Sequence, residues 1–260
     1  MSNTSSIAKI YTEILKSLFL KLIPEYEIEL DSIIECIPVS GRDLGIVGDD
    51  YALLRGPEIM LTCKYGKGVG QVFTVAPRNY RGSIRNIIER DLTSIAWSSL
   101  FHAVLNAILN HLGLIDRTLH CSKNEPLLCG YKMTHYLYSE HGITRILHIG
   151  YQPGHVEELY TIYRDNLLVT DLRSDTVWNR KRGILIIDGN LNKYFIQHSD
   201  VVLLTASALV NNTGWEIVEY ARLYYKPVII YGVSATGAVY LLRENKILDI
   251  RLYCPYARKP

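Results

Sequence analysis

The chain has 260 residues, 48% of them hydrophobic and 21% charged, enough for two domains with cores that need no staples. Its 28 Lys and Arg against 26 Asp and Glu leave a net charge of +2, a balance that argues against a non-specific nucleic-acid binder. The five cysteines, Cys36, Cys63, Cys121, Cys129 and Cys254, are odd in number, scattered and never spaced C-x-x-C, so the expectation is a reducing, cytoplasmic setting without a disulfide framework.

The first apolar stretch, Ile7 to Ile23, is broken by Lys9, Glu13, Lys16 and Lys21 along one face, which predicts an amphipathic helix and neither a signal peptide nor a membrane span. Pro24 ends it. Tyr26 to Leu30 and Ile33 to Val39 then have the alternation and β-branching of antiparallel strands. Further apolar runs at Tyr51 to Leu54 and Glu58 to Tyr65 lead into Gly66-Lys67-Gly68, read as a hairpin turn before a strand over Val69 to Val75. From Ser83 the period becomes helical. Ile84, Ile87 and Ile88, then Ile95, Leu100, Val104, Leu105, Ile108 and Leu112 predict a helical pair interrupted at Asp91-Leu92-Thr93.

Pro126 suits the first turn of a helix running to about Glu140, and the domain boundary is placed just before it, giving domains 1–118 and 119–260. Beyond Gly142 strands and helices alternate: strands at Arg145 to Ile149, Leu167 to Leu172, Ile184 to Ile187, Val201 to Leu204 and Val228 to Tyr231. Between and after them come helices at Val156 to Tyr163, Asn192 to His198, Asn212 to Tyr224 and Ala238 to Glu244. Such alternation, with continuous apolar strands, predicts an α/β fold whose C-terminal part is a Rossmann-like parallel sheet covered on both faces.

Open parallel sheets bind ligands outside the carboxyl ends of their strands, where the strand order reverses. Four segments occupy such ends. Gly150 to His155 follows a strand and opens a helix, but lacks the G-x-G-x-x-G spacing, so NAD binding is not supported. Its glycines admit an anion close to the backbone and Tyr151 offers a ring; a tight turn explains it equally well. Asp171 stands where an acid meets ribose hydroxyls in nucleotide-binding folds, although a carboxylate capping the next segment is the simpler reading. Thr205 to Gly214 is a run of small, hydroxyl and amide residues in which Thr205 and Ser207 offer hydrogen bonds, while Asn211, Asn212 or Thr213 caps the following helix. Gly232 to Gly237 repeats that composition, and two such neighbours suggest one shared pocket.

Thr205 to Thr213, reading Thr-Ala-Ser-Ala-Leu-Val-Asn-Asn-Thr, and Val228 to Ser234, reading Val-Ile-Ile-Tyr-Gly-Val-Ser, resemble the signature of the heavy-metal chelation family. Ile146 to Gly154 is similar to that family's first strand and loop, and Gly66 to Thr74 and Ala103 to Ala107 resemble its accessory domain. The resemblance implies a smaller α+β, enolase-N-terminal-like domain followed by the Rossmann-like one, with the cleft between them as the ligand site. Ala206 replaces a usual glycine and Val233 a usual proline, changes that touch loop geometry rather than fold.

The ligand-binding set expected on these grounds is Gly150, Tyr151, Pro153, Gly154, Asp171, Thr205, Ser207, Asn211, Thr213, Gly232 and Ser234, joined from the first domain by Asn106 as an amide reader. Arg81 and Ser83 are candidates to face the same cleft. The ligand implied is a metal ion, a metal chelate or a metallocofactor precursor. Competing with it is an enzyme acting on a nucleotide-like or other anionic molecule, with Asp171, Ser207 or Ser234 polarising it. A third reading is assembly, including homo-oligomerisation, through Tyr160, Tyr163, Tyr220, Tyr224 and Tyr225, for which core packing is the commoner explanation. His120, Cys121, Cys129, His135 and His141, with Met133, are the densest set of potential metal ligands, yet none has zinc-finger spacing and apolar packing explains Cys129 and Met133 more simply. No hydrolase, kinase or deaminase motif occurs, and no catalytic residue is assigned.

Overall fold

The computed structural model describes residues 3–260 except 41, 42, 44, 46–49 and 57. The chain opens with helix α1 (Asn3–Glu25), which buries Ala8, Tyr11, Leu15, Leu18 and Phe19 at three- and four-residue spacing. The chain then turns through Glu27, at φ 51°, so Tyr26 to Leu30 is a turn and not the expected strand. Strand β1 (Ile33–Val39) follows, then the short helix α2 (Ala52–Arg55), the hairpin β2 (Ile59–Tyr65) and β3 (Gly68–Thr74), edge strand β4 (Tyr80–Ser83), and helices α3 (Ile84–Ile88) and α4 (Ile95–His111). The four strands form an antiparallel sheet in the order β3-β2-β1-β4. Gly66, at φ 53°, takes the first position of the β2–β3 turn.

Helix α5 (Glu125–His141) leads into the second sheet: β5 (Ile146–Ile149), α6 (Pro153–Tyr163), β6 (Leu167–Asp171), β7 (Arg180–Lys181), β8 (Ile184–Asp188), α7 (Asn192–His198), β9 (Val201–Thr205), α8 (Ala206–Val210), α9 (Trp215–Leu223), β10 (Val228–Tyr231), α10 (Thr236–Glu244) and β11 (Arg251–Tyr253). Among the described residues its order is β11-β10-β9-β5-β6-β8-β7, parallel except for edge strand β7. An α/β architecture with a separate antiparallel sheet is therefore present. Strands β4, β7 and β11 are too short and too polar to have shown a period in the sequence.

Helix α4 joins the two sheets. It is apolar on all sides and buried from Ser98 to Leu109, as a helix must be when sheet lies on one flank and helices on the other. Gly68 and Gly70 point one face of β3 at it: a Cβ on Gly70 would stand 2.0 Å from the Ala103 carbonyl oxygen, and one on Gly68 2.1 Å from that of Ala107. A single apolar cluster runs from α1 and Leu61 and Val72 of the first sheet through α4 to Leu147, Val202, Leu204 and Ile230 of the second. The opposite face of the parallel sheet is covered by α5 and α6, with Met133, Leu137, Val156 and Leu159 on Val169, Leu203 and Ile229. Met133 is thus core and not a ligand. Tyr163 is buried as well, its hydroxyl donating to the Gly142 carbonyl at 3.2 Å, so it takes no part in a tyrosine surface.

Cys36 and Cys63 face one another across β1 and β2 and form a disulfide, contrary to the expectation of none. Their pairing is a matter of strand register, which cysteine spacing does not reveal. No helix among the described residues is long and apolar enough to cross a membrane.

Candidate functional site

Strand order reverses between β5 and β9, so the turns after these two strands flank the switch point. Gly150, at φ 93°, ends β5, and a Cβ there would lie 2.8 Å from Thr205 Cγ2 and 2.9 Å from the Tyr231 hydroxyl, so both conformation and space require glycine. The Tyr231 hydroxyl, reaching from β10 across β9, donates to the carbonyls of Ile149 (3.0 Å) and Gly150 (2.6 Å) and fixes the turn. Burial, then the Asp171 charge, drives its phenol well above the ordinary range, so it remains a donor.

On the other side of Gly150, Asp171 ends β6. Its carboxylate accepts from the Tyr151 amide at 2.7 Å and the Arg173 amide at 2.8 Å, the loop-capping role the sequence suggested as the simpler one. Thr205 and Ser207 hydroxyls lie 3.1 Å apart at the end of β9. The Gly150 turn, Tyr151, Asp171, Thr205 and Ser207 are accordingly brought together.

Into this group projects Glu58, which precedes β2 of the first sheet. Its carboxylate accepts from the Ser207 hydroxyl; burial, followed by the nearby Asp171 charge, pushes its pKa up, against the opposing pull of Ser207 and Arg173. Sequence reasoning missed Glu58, taking it only as the start of an apolar run; an isolated carboxylate opening a buried strand was the available signal. It missed Arg173 too, which lies within 3.9 Å of Asp171 and 3.8 Å of Asp175. Asp50 closes the group from above, accepting from the Tyr151 hydroxyl at 2.8 Å and from Lys181 Nζ at 2.9 Å. Burial alone would raise the Asp50 pKa, but these donors and the Arg55 charge hold it below the usual value.

The other expected residues do different work. Asn106 donates from Nδ2 to the carbonyls of Gln71, Val233 and Ser234 at 3.4, 3.3 and 3.0 Å and accepts from the Gly237 amide at 2.8 Å. Asn211 accepts from the Thr74 hydroxyl and the Val75 amide, and Ser234 from the Phe73 amide at 2.9 Å with His120 Nε2 3.2 Å away. All three are buried and tie the second sheet to β3 and α4. Pro153 starts α6, and Gly154 allows α6 to touch α5, where a Cβ would meet the Pro126 carbonyl at 2.5 Å. Residues 206–210 are helix α8 and not loop, and α9 begins only at Trp215 with Gly214 as its cap. None of Asn211, Asn212 and Thr213 caps α9: Thr213, exposed, donates to the Ala208 carbonyl at 3.3 Å, and Asn212 donates to Leu92 and Thr93. Gly232, at φ 86°, ends β10 beside Ala206. Arg81 and Ser83 lie on edge strand β4, where Arg81 is exposed and Ser83 caps α3.

The presumptive metal ligands are dispersed. His120 stacks on Phe73, His135 is exposed beside Tyr131, and Cys129 is buried next to His155. Among the described residues no group of three or more His, Cys, Asp and Glu is arranged to hold a metal ion.

Residues 137–247 match the DUF364 family, described as "Putative heavy-metal chelation". This segment of the chain is similar to that family. The DUF364 segment begins within α5 and takes in every strand around the switch point. The chain is similar to the crystal structure of a DUF364 protein of unknown function from Pyrococcus horikoshii, at 18% identity, 88% of this chain, 79% of that one and a TM-score of 0.50. A second similar structure, a DUF364 protein of unknown function from Desulfitobacterium hafniense DCB-2, has 15% identity, 72% coverage of each chain and a TM-score of 0.48. At these identities the first likeness shows a shared fold that extends beyond the DUF364 segment. No curated protein of known role matches the chain.

Proposed function

We propose that the protein binds a metal chelate at the strand ends flanking Gly150, with residues 1–118 contributing one wall and 119–260 the other. The observation that carries this reading is the buried Glu58 carboxyl, which accepts from Ser207 and feels the Asp171 charge where the strand order reverses. A partly desolvated carboxyl pair is relieved by a cation. Two carboxylates do not complete a metal's coordination sphere, so the cargo brings ligands of its own, and Ser207, Thr205 and Arg173 are placed to recognise those. Entry requires the Asp50 to Arg55 segment to part from Tyr151 and Lys181. The family description supports a metal-bearing cargo. An enzyme acting on an anionic, nucleotide-like molecule fits less well, because an anion meets both carboxylates and Asp171 already accepts from two backbone amides.

The test is a thermal-shift titration with ferric citrate and nickel citrate, against citrate alone and each metal salt alone. A ligand at a hundred times its Kd stabilises the native state by about 2.7 kcal/mol. The expected result is stabilisation by a chelate only, lost in Glu58→Gln. Equal stabilisation of Glu58→Gln, or a response to citrate alone, overturns the reading.

A further inference from the structure

Away from Glu58, the structure assembles sulfur and imidazole groups that the crevice does not use. Strand β11 runs beside α5: Tyr253 stacks on Tyr136 with ring centroids 4.2 Å apart, and its hydroxyl donates to the Lys132 carbonyl at 3.1 Å. That alignment brings Cys254, the residue after β11, against Cys129, one turn before Met133 on α5. The Cys129 S–H donates to the Cys254 sulfur, and the Ala257 N–H bonds the Cys254 carbonyl oxygen at 3.1 Å. Behind Cys129 the imidazole of His155 places Nε2 3.3 Å from its sulfur, and His155 Nδ1 lies 3.3 Å from His148 Nε2. Both imidazoles are fully buried, and burial keeps them neutral. In front, Cys254 lines a cavity of about 530 Å³ that also takes in Thr236, Arg117 and Arg243, with Asp116 bound to Lys259 at 3.0 Å and Glu244 at its rim.

We propose that Cys254 and Cys129 form a redox-active dithiol that reacts with small disulfides entering this cavity. The Cys129 S–H, donating to the Cys254 sulfur, favours a thiolate there against the opposing effect of burial, while Cys129 keeps its proton. The Cys254 thiolate attacks one sulfur of a low-molecular-weight disulfide, forming a mixed disulfide and expelling one thiolate, which takes a proton from solvent. Cys129 then attacks the Cys254 sulfur, closing the Cys129–Cys254 bond, and its proton passes to the second thiolate as that leaves. The protein loses two thiol hydrogens, and one small disulfide becomes two thiols. Arg117 and Arg243 suit a carboxylate-bearing disulfide, for which glutathione disulfide is the probe.

The experiment treats the full chain with glutathione disulfide and maps disulfides without reduction, Cys36–Cys63 serving as the internal reference. Wild type is expected to yield a Cys129–Cys254 bond, Cys129→Ser a glutathione adduct held on Cys254, and Cys254→Ser neither. In untreated protein, Cys254 should be alkylated by iodoacetamide at neutral pH about tenfold or more faster than Cys121, whose thiol burial pushes up to about 12. A stable glutathione adduct on the wild type, absence of any Cys254 product, or alkylation of Cys121 at the Cys254 rate overturns the proposal.

Discussion

Replacing His102 by Leu should make the protein more stable and less sensitive to acid. His102 is fully buried in α4, its ring facing Trp215 at 6.5 Å and Phe101 at 5.9 Å, and neither ring nitrogen has a hydrogen-bond partner. A buried polar group without a partner costs about 1–3 kcal/mol, and Leu removes it while favouring the helix. Burial lowers the His102 pKa from 6.5 to about 4. A base with a depressed folded pKa takes up its proton more readily when unfolded. Its stabilisation is therefore complete above about pH 6.5 and falls as the pH drops towards 4. For a 6.5-to-4 difference this penalty reaches about 3 kcal/mol at pH 4, at 1.36 kcal/mol per pH unit less the part titrated in the native state. Urea unfolding of wild type and His102→Leu at intervals between pH 7 and pH 4 measures it. The gap between them should widen by about that amount towards pH 4. Parallel curves would show that the imidazole gains no charge on unfolding across this range, and the reasoning would fail.

Glu58→Gln should leave the unliganded protein at least as stable as wild type at pH 7, since a carboxyl with a raised pKa is stabilising only while protonated and loses that as pH rises through its folded value; unfolding at pH 4 and pH 7 should show the gap confined to the higher pH. Asn106→Ala should destabilise by about 2–4 kcal/mol in urea unfolding, because it removes the side-chain donor to the buried Gln71 and Ser234 carbonyls and the acceptor of the Gly237 amide, while the Val233 carbonyl keeps Thr236. Gly70→Ala should cost about 3 kcal/mol or prevent folding, measured by circular dichroism melting, as its Cβ has no room against the Ala103 carbonyl. A small effect there would mean that β3 and α4 slide apart easily.

Local signals were strong where one face of an element is apolar. The period of α1, α4 and α9 and the continuous runs of β5, β9 and β10 were legible because burial imposes them residue by residue. Glycines were read as turns, and Gly66 and Gly150 are; Gly68 and Gly70 instead serve contact with a helix far along the chain, which no local pattern encodes. The polar run from Thr205 to Thr213 was legible as a cluster of hydrogen-bonding groups, but not what each would bond. Asn211 and Ser234 point to β3, while Ser207 points to Glu58.

The α/β class, the parallel strands and the places where they end were legible along the chain, since these follow from periodicity and composition over short spans. The contact of Glu58 with Ser207, the pairing of Cys36 with Cys63 and the meeting of Cys254 with Cys129 arise only in the folded chain. Each joins residues distant in the chain through strand register or helix packing, and side-chain chemistry alone carries no record of those.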